Sequence, residues 1–283
     1  MRVLGYNSHL FFNTIVGMDG GSVFEDATRL DLIAEAVLAG GYDLVGFSEV
    51  WANKSKSRLR TLLKNPFAHS AWDENDNLFE IGSGLLLLSR FPITASEFTR
   101  YDDLVGADAL SQKGFVLARI DTGAETVAVV LTHTQAGNGT AEVNARTSNI
   151  EQLAKGIRVW AGVSTPAILA GDLNVIGEDT LGQPTAEYEF LLKTLGALGM
   201  TDAYRVVHPD AEVDHGYTYD GVTNTLVPYF ALADAENKVV QRLDYMFSRG
   251  FNPTSANVLR SFLYQSGKGE MDLSDHYPLD VEA

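Results

Sequence analysis

The sequence predicts a mixed α/β fold with substantial antiparallel pairing. Short apolar runs rich in β-branched residues recur along the chain and are bounded by turn residues, which favours buried strands over helices. Stretches with helical spacing separate some of these runs, whereas other runs follow one another directly and can pair as antiparallel neighbours. The 283 residues contain no internal repeat and no Pro/Ser-rich linker. One compact domain over residues 1–283 is therefore the expected organisation.

Seven apolar runs predict the strands, which in chain order span residues 3–6, 43–47, 84–88, 115–120, 126–131, 167–170 and 243–247. Apolar residues near helical spacing predict helices over residues 26–38, 144–159 and 185–198. Thr185 is the expected N-cap of the third helix, since its hydroxyl can accept a hydrogen bond from a first-turn amide. Residues 13–25, which are rich in glycine, and residues 101–112 predict surface loops.

Composition narrows the class of protein. Hydrophobic residues are 45% and charged residues 20%, as in soluble globular enzymes. The net charge of -16 argues against a nucleic-acid partner, because an acidic surface repels phosphates unless bound cations reverse the field. The absence of cysteine excludes disulfides, thiolate zinc sites and cysteine nucleophiles. The N-terminus lacks the pattern of a signal peptide, so a secreted form would be the mature one.

Polar residues suited to metal or proton chemistry follow most of the predicted strands. They are Asn7, Glu49, His133, Asp172 with Asn174, Asp244, and Asp275 with His276 near the C-terminus. Ligands of open α/β sheets bind outside the strand ends, so these side chains are candidates for one shared site. Each one alone is more often a capped turn or a satisfied polar residue. Six cases in one chain favour a site.

The residue types indicate the chemistry. Carboxylates and amides without cysteine suit a hard cation such as Mg²⁺ or Ca²⁺. Zinc is disfavoured because no closely spaced histidine pair occurs. Two well-separated histidines near acids suit a general base and a stabiliser or acid. Serine-hydrolase, Rossmann and P-loop motifs are absent. These observations predict a metal-dependent hydrolase.

The order of these motifs along the chain resembles that of the endonuclease/exonuclease/phosphatase (DNase I-like) superfamily. The resemblance rests on Asn7, on Glu49 in Phe-Ser-Glu-Val, and on the motifs Gly171-Asp-Leu-Asn, Leu243-Asp-Tyr and Ser274-Asp-His-Tyr-Pro. Finer features are similar to the bacterial neutral sphingomyelinases (sphingomyelinase C). They are Asp108 upstream of Lys113-Gly-Phe, His133-Thr-Gln-Ala, and Tyr219-Asp-Gly-Val-Thr-Asn.

The resemblance implies a fold and a set of roles. The fold is a four-layer sandwich of two packed mixed β-sheets flanked by helices. Glu49, Asn7 and Asp275 would hold Mg²⁺, or another divalent cation such as Mn²⁺, Co²⁺ or Ca²⁺. His276 would be the general base, oriented by Asp244. His133 would be a proton donor or stabiliser, and Asp172 with Asn174 would position water and phosphate.

The resemblance also implies an activity, namely phospholipase C-type hydrolysis of sphingomyelin to ceramide and phosphocholine. The expected protein is a secreted, extracellular bacterial monomer that acts peripherally on phospholipid at a membrane surface. The alternative is a nuclease or phospholipase of the same fold that acts on DNA, phosphatidylcholine or an ethanolamine phospholipid. A non-catalytic binding module is the different-class alternative, and it requires the acids and histidines to be structural.

Three features leave alternatives open. The family's paired acids before a Gly-Gly strand are replaced here by Glu80-Ile-Gly-Ser-Gly84, so a second metal site is undecided, with Asn53 as a candidate ligand. Asp108 and Lys113 are either a functional pair or an exposed loop ion pair worth about 0–1 kcal/mol. On the functional interpretation, Lys113→Ala lowers turnover and leaves the melting temperature nearly unchanged. The aromatic residues Tyr217, Tyr219, Tyr229 and Phe230 either contact lipid or pack in the core.

Overall fold

Two six-stranded mixed sheets form the centre of the protein in a computed structural model that describes residues 1–10, 25–73, 81–230 and 238–283. The strands are β1 (Arg2–Leu10), β2 (Leu44–Val50), β3 (His69–Trp72), β4 (Leu86–Ser89), β5 (Ile93–Arg100), β6 (Gly114–Asp121), β7 (Thr126–His133), β8 (Ala167–Asp172), β9 (Thr201–Asp202), β10 (Tyr219–Asp220), β11 (Val240–Gln241), β12 (Asp244–Arg249), β13 (Ser255–Val258), β14 (Leu263–Ser266), β15 (Gly269–Asp272) and β16 (Leu279–Glu282). The helices are α1 (Asp26–Gly40), α2 (Asn53–Leu63), α3 (Thr140–Ala161), α4 (Ala186–Gly196), α5 (Ala203–Val207) and α6 (Val227–Phe230).

Each sheet combines parallel and antiparallel neighbours. The first has the order β13-β16-β1-β2-β4-β3, and the second has the order β5-β6-β7-β8-β12-β9. Within them, β1 with β2 and β7 with β8 are parallel pairs, whereas β12 runs antiparallel to β8. Two short ribbons, β10-β11 and β14-β15, complete the pairing of the named strands. The predicted mixed α/β class is confirmed.

Three apolar clusters hold the layers together. The inner faces of the two sheets pack on each other through side chains such as Val3 and Leu44 in one sheet and Val129 and Ile168 in the other. The outer face of the first sheet packs on α1 and α2, and the outer face of the second packs on α3 and α4. The result is a helix–sheet–sheet–helix arrangement, the expected four-layer sandwich.

The predicted elements are present with small differences in their bounds. All seven predicted strands and all three predicted helices occur, although α3 begins four residues before the expected residue 144. The Thr185 hydroxyl accepts from the Tyr188 amide at 3.2 Å, so the predicted N-cap is confirmed. The loop at 101–112 contains a 3₁₀ turn over Gly106–Leu110, and residues 13–24 of the other predicted loop lie outside the described residues. In the described part of the chain, the helices are too short or too polar to span a bilayer.

Candidate active site

The predicted polar residues meet where the ends of strands from both sheets converge. In the first sheet, β1 and β2 run parallel with Asn7 paired to Ser48, which places Glu49 one residue beyond. In the second sheet, His133 at the end of β7 pairs with Asp172 at the end of β8, and Asp244 lies opposite Asp172. The sheets therefore deliver an amide, three acids and an imidazole to one edge of the sandwich.

Asp172 lies at the centre of this group. Its Oδ2 accepts from Asn7 Nδ2 at 2.9 Å and lies 3.6 Å from His133 Nε2 and 4.0 Å from His276 Nε2. Its Oδ1 accepts from the Asn174 amide at 2.9 Å. Burial, together with the nearby charge of Asp244, raises the pKa of Asp172 to about 7. The central carboxyl therefore titrates near neutral pH.

Glu49 joins Asp172 through the amide of Asn7. Asn7 Nδ2 donates to Glu49 Oε1 at 2.9 Å as well as to Asp172, and Glu49 Oε1 lies 4.0 Å from His133 Nε2. The backbone of Glu49 has φ 60°, a left-handed conformation that non-glycine residues seldom adopt. Such strain persists only where the surroundings hold it, and it concentrates at functional sites.

His276 and Asp244 form a buried pair. His276 Nδ1 lies 2.7 Å from Asp244 Oδ2, which leaves Nε2 as the ring nitrogen that faces Asp172. Burial alone would lower the pKa of His276, but attraction to Asp244, Asp172 and Asp275 outweighs it and raises the pKa well above its ordinary value. The Thr218 hydroxyl accepts from the Asp244 amide at 3.1 Å and helps to fix this pair.

His133 is held in the opposite protonation state. Burial, with the positive charges of Lys113 and His276, lowers the pKa of His133 well below its ordinary value. Its ring lies 6.0 Å from the Trp51 ring, and its Nδ1 has no hydrogen-bond partner among the described residues. His133 is therefore a neutral imidazole that presents Nε2 to the two acids.

Asp275 and Asn53 are placed differently from the central residues. Ser274 Oγ donates to the Asn7 carbonyl at 2.7 Å and to Asp275 Oδ1 at 3.2 Å, so Asp275 borders Asn7 without joining the central carboxylates. Asn53 is exposed at the start of α2. Glu80, the remaining acid of the motif considered for a second metal site, lies outside the described residues. The structure therefore assembles the central site, and a second metal site with Asn53 as a ligand stays a prediction.

The exposed-loop interpretation of Lys113 and Asp108 is wrong. Lys113 is only 2% exposed, and its Nζ donates to Asp108 Oδ2 at 2.9 Å and to the Thr134 carbonyl at 3.1 Å. Asp108 Oδ2 also accepts from the Ala136 amide at 2.7 Å. The pair thus holds both sides of the segment that follows His133. A nearly unchanged melting temperature is no longer expected when Lys113 is replaced.

Replacing Lys113 by methionine should lower both stability and turnover. The change leaves Asp108 without its cation and the Thr134 carbonyl without a donor, which costs about 1–3 kcal/mol of unfolding free energy. Displacement of His133 should reduce kcat about tenfold or more. Urea unfolding and steady-state hydrolysis measure the two effects. Lys155→Met on the exposed face of α3 is the matched control, and wild-type values for Lys113→Met would remove the pair from the site.

The motif Tyr219–Asn224 supports the loop that carries His276. Tyr219 forms a β-bridge with His276, and their rings meet edge to face at 5.3 Å. Asn224 Nδ2 donates to the Ser274 carbonyl at 2.9 Å. The motif therefore positions His276, and Tyr219 forms a half-buried wall of the site. Tyr217 stacks on His215 instead, and the side chains of Tyr229 and Phe230 lie outside the described residues.

Two residues near the site escaped the sequence motifs. His9 Nε2 lies 3.7 Å from Asp275 Oδ2, and its backbone has φ 43°. Arg29, fully buried on α1, donates to the carbonyls of Ser8 at 3.1 Å, His9 at 2.6 Å and Leu273 at 2.7 Å. Arg29 therefore ties the end of β1 to the loop before Ser274. The sequence signal for Arg29 was its position inside a predicted amphipathic helix. If the helix buries that position, the guanidinium needs nearby acceptors.

The donor set fits a divalent cation. One oxygen each of Glu49 and Asp172 and one nitrogen of His133 lie within 4.8 Å of one another, and so do ligand atoms of Asp172, Asp244 and His276. Among the described residues, the ionisable cationic groups within 4.0 Å of Glu49 and Asp172 are the histidines alone. Two converging carboxylates without a lysine or arginine partner are a charge arrangement that a bound cation stabilises.

Comparisons with known proteins agree with this architecture. A model of the Endonuclease/Exonuclease/phosphatase family matches residues 16–276. A Drosophila melanogaster protein provisionally named neutral sphingomyelinase is 28% identical in an alignment of 239 residues that covers 81% of this chain and 49% of that protein, so the chain spans about half its length. Sphingomyelinase C from Bacillus cereus is 25% identical over 315 residues, covering 99% of this chain and 87% of that protein.

Solved structures show the same fold. Beta toxin from Staphylococcus aureus superposes with a TM-score of 0.79 at 20% identity, covering 100% of this chain and 99% of that chain. A mutant of that toxin with bound magnesium ions has a TM-score of 0.76 at 20% identity, with the same coverage. TDP2 from D. rerio, solved with a single strand DNA product, has a TM-score of 0.71 at 15% identity and covers 99% of this chain and 97% of that chain.

Proposed function

Because this chain belongs to the Endonuclease/Exonuclease/phosphatase family, we propose that it is a divalent-cation-dependent phosphodiesterase that hydrolyses sphingomyelin to ceramide and phosphocholine. The observation that carries the proposal is the convergence of Glu49, Asp172 and His133 beside the Asp244–His276 pair. Purely structural acids and histidines, as in a binding module, would not need to place two carboxylates without a lysine or arginine partner at one edge.

The residues divide the work of hydrolysis. Glu49, with Asn7 and Asp275 beside it, would hold the cation, which when bound polarises a phosphate oxygen and neutralises charge in the transition state. His276 Nε2 would take the proton of the attacking water once the positive charge of a bound cation has lowered the pKa of the ring, while Asp244 at 2.7 Å keeps Nδ1 protonated and the ring in place. In other hydrolases, too, the general base is oriented by a hydrogen bond to a third group.

The remaining residues would contact the phosphate and the water. The lowered pKa of His133 keeps its imidazole neutral. Its Nε2 would then donate a hydrogen bond to a phosphate oxygen as an uncharged donor. Asn174 adopts φ 49° and donates through Nδ2 to the Thr134 carbonyl at 3.2 Å, which fixes it beside Asp172. Asp172 and Asn174 would orient water and phosphate, as the sequence motif implies.

The substrate assignment rests on the sphingomyelinase relatives and on the motifs around Lys113 and Tyr219. The alternative is a nuclease, favoured by the shared fold of a neighbour solved with single strand DNA. Hydrolysis of sphingomyelin, phosphatidylcholine, ethanolamine phospholipids and plasmid DNA, each with and without EDTA and added Mg²⁺, separates these activities. Cleavage of sphingomyelin that EDTA abolishes is the expected result. DNA cleavage without lipid cleavage would move the protein to the nuclease branch, and activity that survives full chelation would refute the metal mechanism.

Cation affinity should depend on pH through the central carboxyl. With the pKa of Asp172 at about 7, protonation below neutral pH removes the negative charge that a cation needs, so affinity should fall as pH falls. A single competing proton weakens binding about tenfold per pH unit below that pKa. Titration calorimetry with Mn²⁺ from pH 5.5 to 8.5 measures the slope. An affinity independent of pH, or an unchanged slope in Asp172→Asn, would contradict this assignment.

The similarity to bacterial sphingomyelinases also bears on where the protein acts. We propose a monomer that is secreted and acts peripherally on phospholipid at a membrane surface. Light scattering in the absence of lipid tests the monomer, and co-sedimentation with sphingomyelin vesicles tests the peripheral binding. A stable dimer in the absence of lipid would contradict the monomer.

A further inference from the structure

The turn before β4 closes over the backbone of Glu49. The Val50 amide donates to the Gly84 carbonyl at 2.9 Å. Gly84 has φ 75°, and a β-carbon there would lie 3.2 Å from the Glu49 nitrogen and 3.3 Å from its Cα. The positive φ and this close approach favour glycine at position 84, and they place the turn directly against Glu49, whose own φ of 60° is left-handed. The geometry of Glu49 therefore depends on where this turn is held.

A buried ion pair anchors that turn. Asp73 accepts from the Ser83 amide at 2.7 Å, from the Ser83 hydroxyl and from Lys56 Nζ on α2. Lys56 and Asp73 are each only 2% exposed, and Ser83 is fully buried. A β-carbon on Gly82 would lie 2.9 Å from Asp73 Oδ2 and 3.5 Å from Lys56 Nζ, so the turn packs directly on the pair.

Stability alone is a poor explanation for such a pair. Removing two charges from water costs several kcal/mol per ion, and well-packed apolar residues of similar volume often replace buried ion pairs without loss. The pair lies outside both ligand clusters, yet a chain of contacts leads from it to Glu49 through Ser83, Gly84 and Val50. Its place beside the strained residue of the site points to a role in orientation.

We propose that Lys56, Asp73 and Ser83 form a clamp that positions Glu49 to bind the divalent cation. Lys56 fixes Asp73, Asp73 fixes Ser83, and the turn through Gly84 then holds Glu49 in its left-handed conformation. The three residues touch neither substrate nor cation, so they are positioning residues. The proposal rests on the proposed function, since it assigns them to the cation site of that function.

The test measures cation binding apart from hydrolysis. Lys56→Met/Asp73→Asn removes both charges together, while the asparagine oxygen can still accept from Ser83. Ser83→Ala removes one hydrogen bond and serves if the double variant fails to fold. Mn²⁺ titration calorimetry should show a dissociation constant at least tenfold higher in either variant. Saturating Mn²⁺ should return kcat to within about threefold of wild type, because the clamp acts through Glu49 and not on the reacting atoms.

The matched control is a second ion pair that also takes its cation from α2 and its acid from another segment. Arg58 and Asp31 pair at 3.0 Å on the exposed surface, and Arg58→Met/Asp31→Asn should leave Mn²⁺ affinity unchanged. Equal losses in the control and the clamp variants, or unaltered affinity in folded clamp variants, would overturn the clamp alone. Wild-type protein that binds Mn²⁺ but cleaves no phosphodiester would overturn the proposed function and leave the clamp standing. Wild-type protein that binds no Mn²⁺ would overturn both.

Discussion

His276→Ala is expected to lower kcat by roughly 10²–10⁴-fold, the usual contribution of a positioned general base. The variant loses the imidazole whose Nδ1 pairs with Asp244 at 2.7 Å and whose Nε2 faces Asp172 at 4.0 Å. Glu49 and Asn7 are untouched by the change, so cation affinity should stay within a few-fold of wild type. Steady-state hydrolysis at saturating Mg²⁺, with calorimetric titration of Mn²⁺, measures both quantities.

Two further variants make the result specific to His276. Asp244→Asn should reproduce a large part of the loss, because an amide cannot hold the imidazole with Nδ1 protonated as firmly as a carboxylate does. His69→Ala, on β3 and outside the site, should keep wild-type turnover. Near-normal turnover in His276→Ala would show that another group is the base.

Glu49→Gln should weaken binding of the cation, and turnover should fall because less cation is bound. The change keeps the size of the side chain and removes one of the two carboxylates that converge on His133. We expect the dissociation constant for Mn²⁺ to rise about 100-fold, since loss of a charged ligand or of its support costs 10–100-fold or more. Turnover at a fixed, subsaturating Mg²⁺ concentration should fall in parallel and recover partly as Mg²⁺ is raised.

The control for Glu49 is an acid of the same type elsewhere. Glu125→Gln, exposed in the turn between β6 and β7, changes the net charge equally and should alter neither affinity nor turnover. If Glu49→Gln bound Mn²⁺ as tightly as the wild type, the cation would have to lie elsewhere, for example at Asp172, Asp244 and His276.

The parts of the molecule that the sequence predicts are those with local signals. The central strands are continuous apolar runs, and the polar residues that end them are visible as departures from those runs. Edge strands were missed because their patterns are mixed: β5, for example, alternates between half-buried and exposed positions with polar residues on both faces. A half-exposed strand carries little more signal than a loop.

The parts that the sequence does not predict depend on contacts between distant segments. Lys113 reads as a loop lysine until the structure shows its ammonium under the Thr134 carbonyl, 21 residues away. In the sequence, Lys56 and Asp73 are indistinguishable from other charged residues. The structure shows that Asp73 also binds the Ser83 amide, which places the ion pair at the turn before β4. His9 belongs to no motif, and it lies close to Asp275 although the two residues are more than 260 positions apart in the sequence. No local pattern reports such distances.

The position of β1 has a consequence for biosynthesis. β1, which carries Asn7, pairs on one side with β16, with Arg2 opposite Glu282, and Ser274 reaches the Asn7 carbonyl across 267 positions. A ribosome releases the first strand long before the last, and contacts of such separation form late in folding. We therefore expect the site to stay unassembled in the nascent chain until β16 emerges, and chains that stop before β16 should lack the proposed hydrolytic activity.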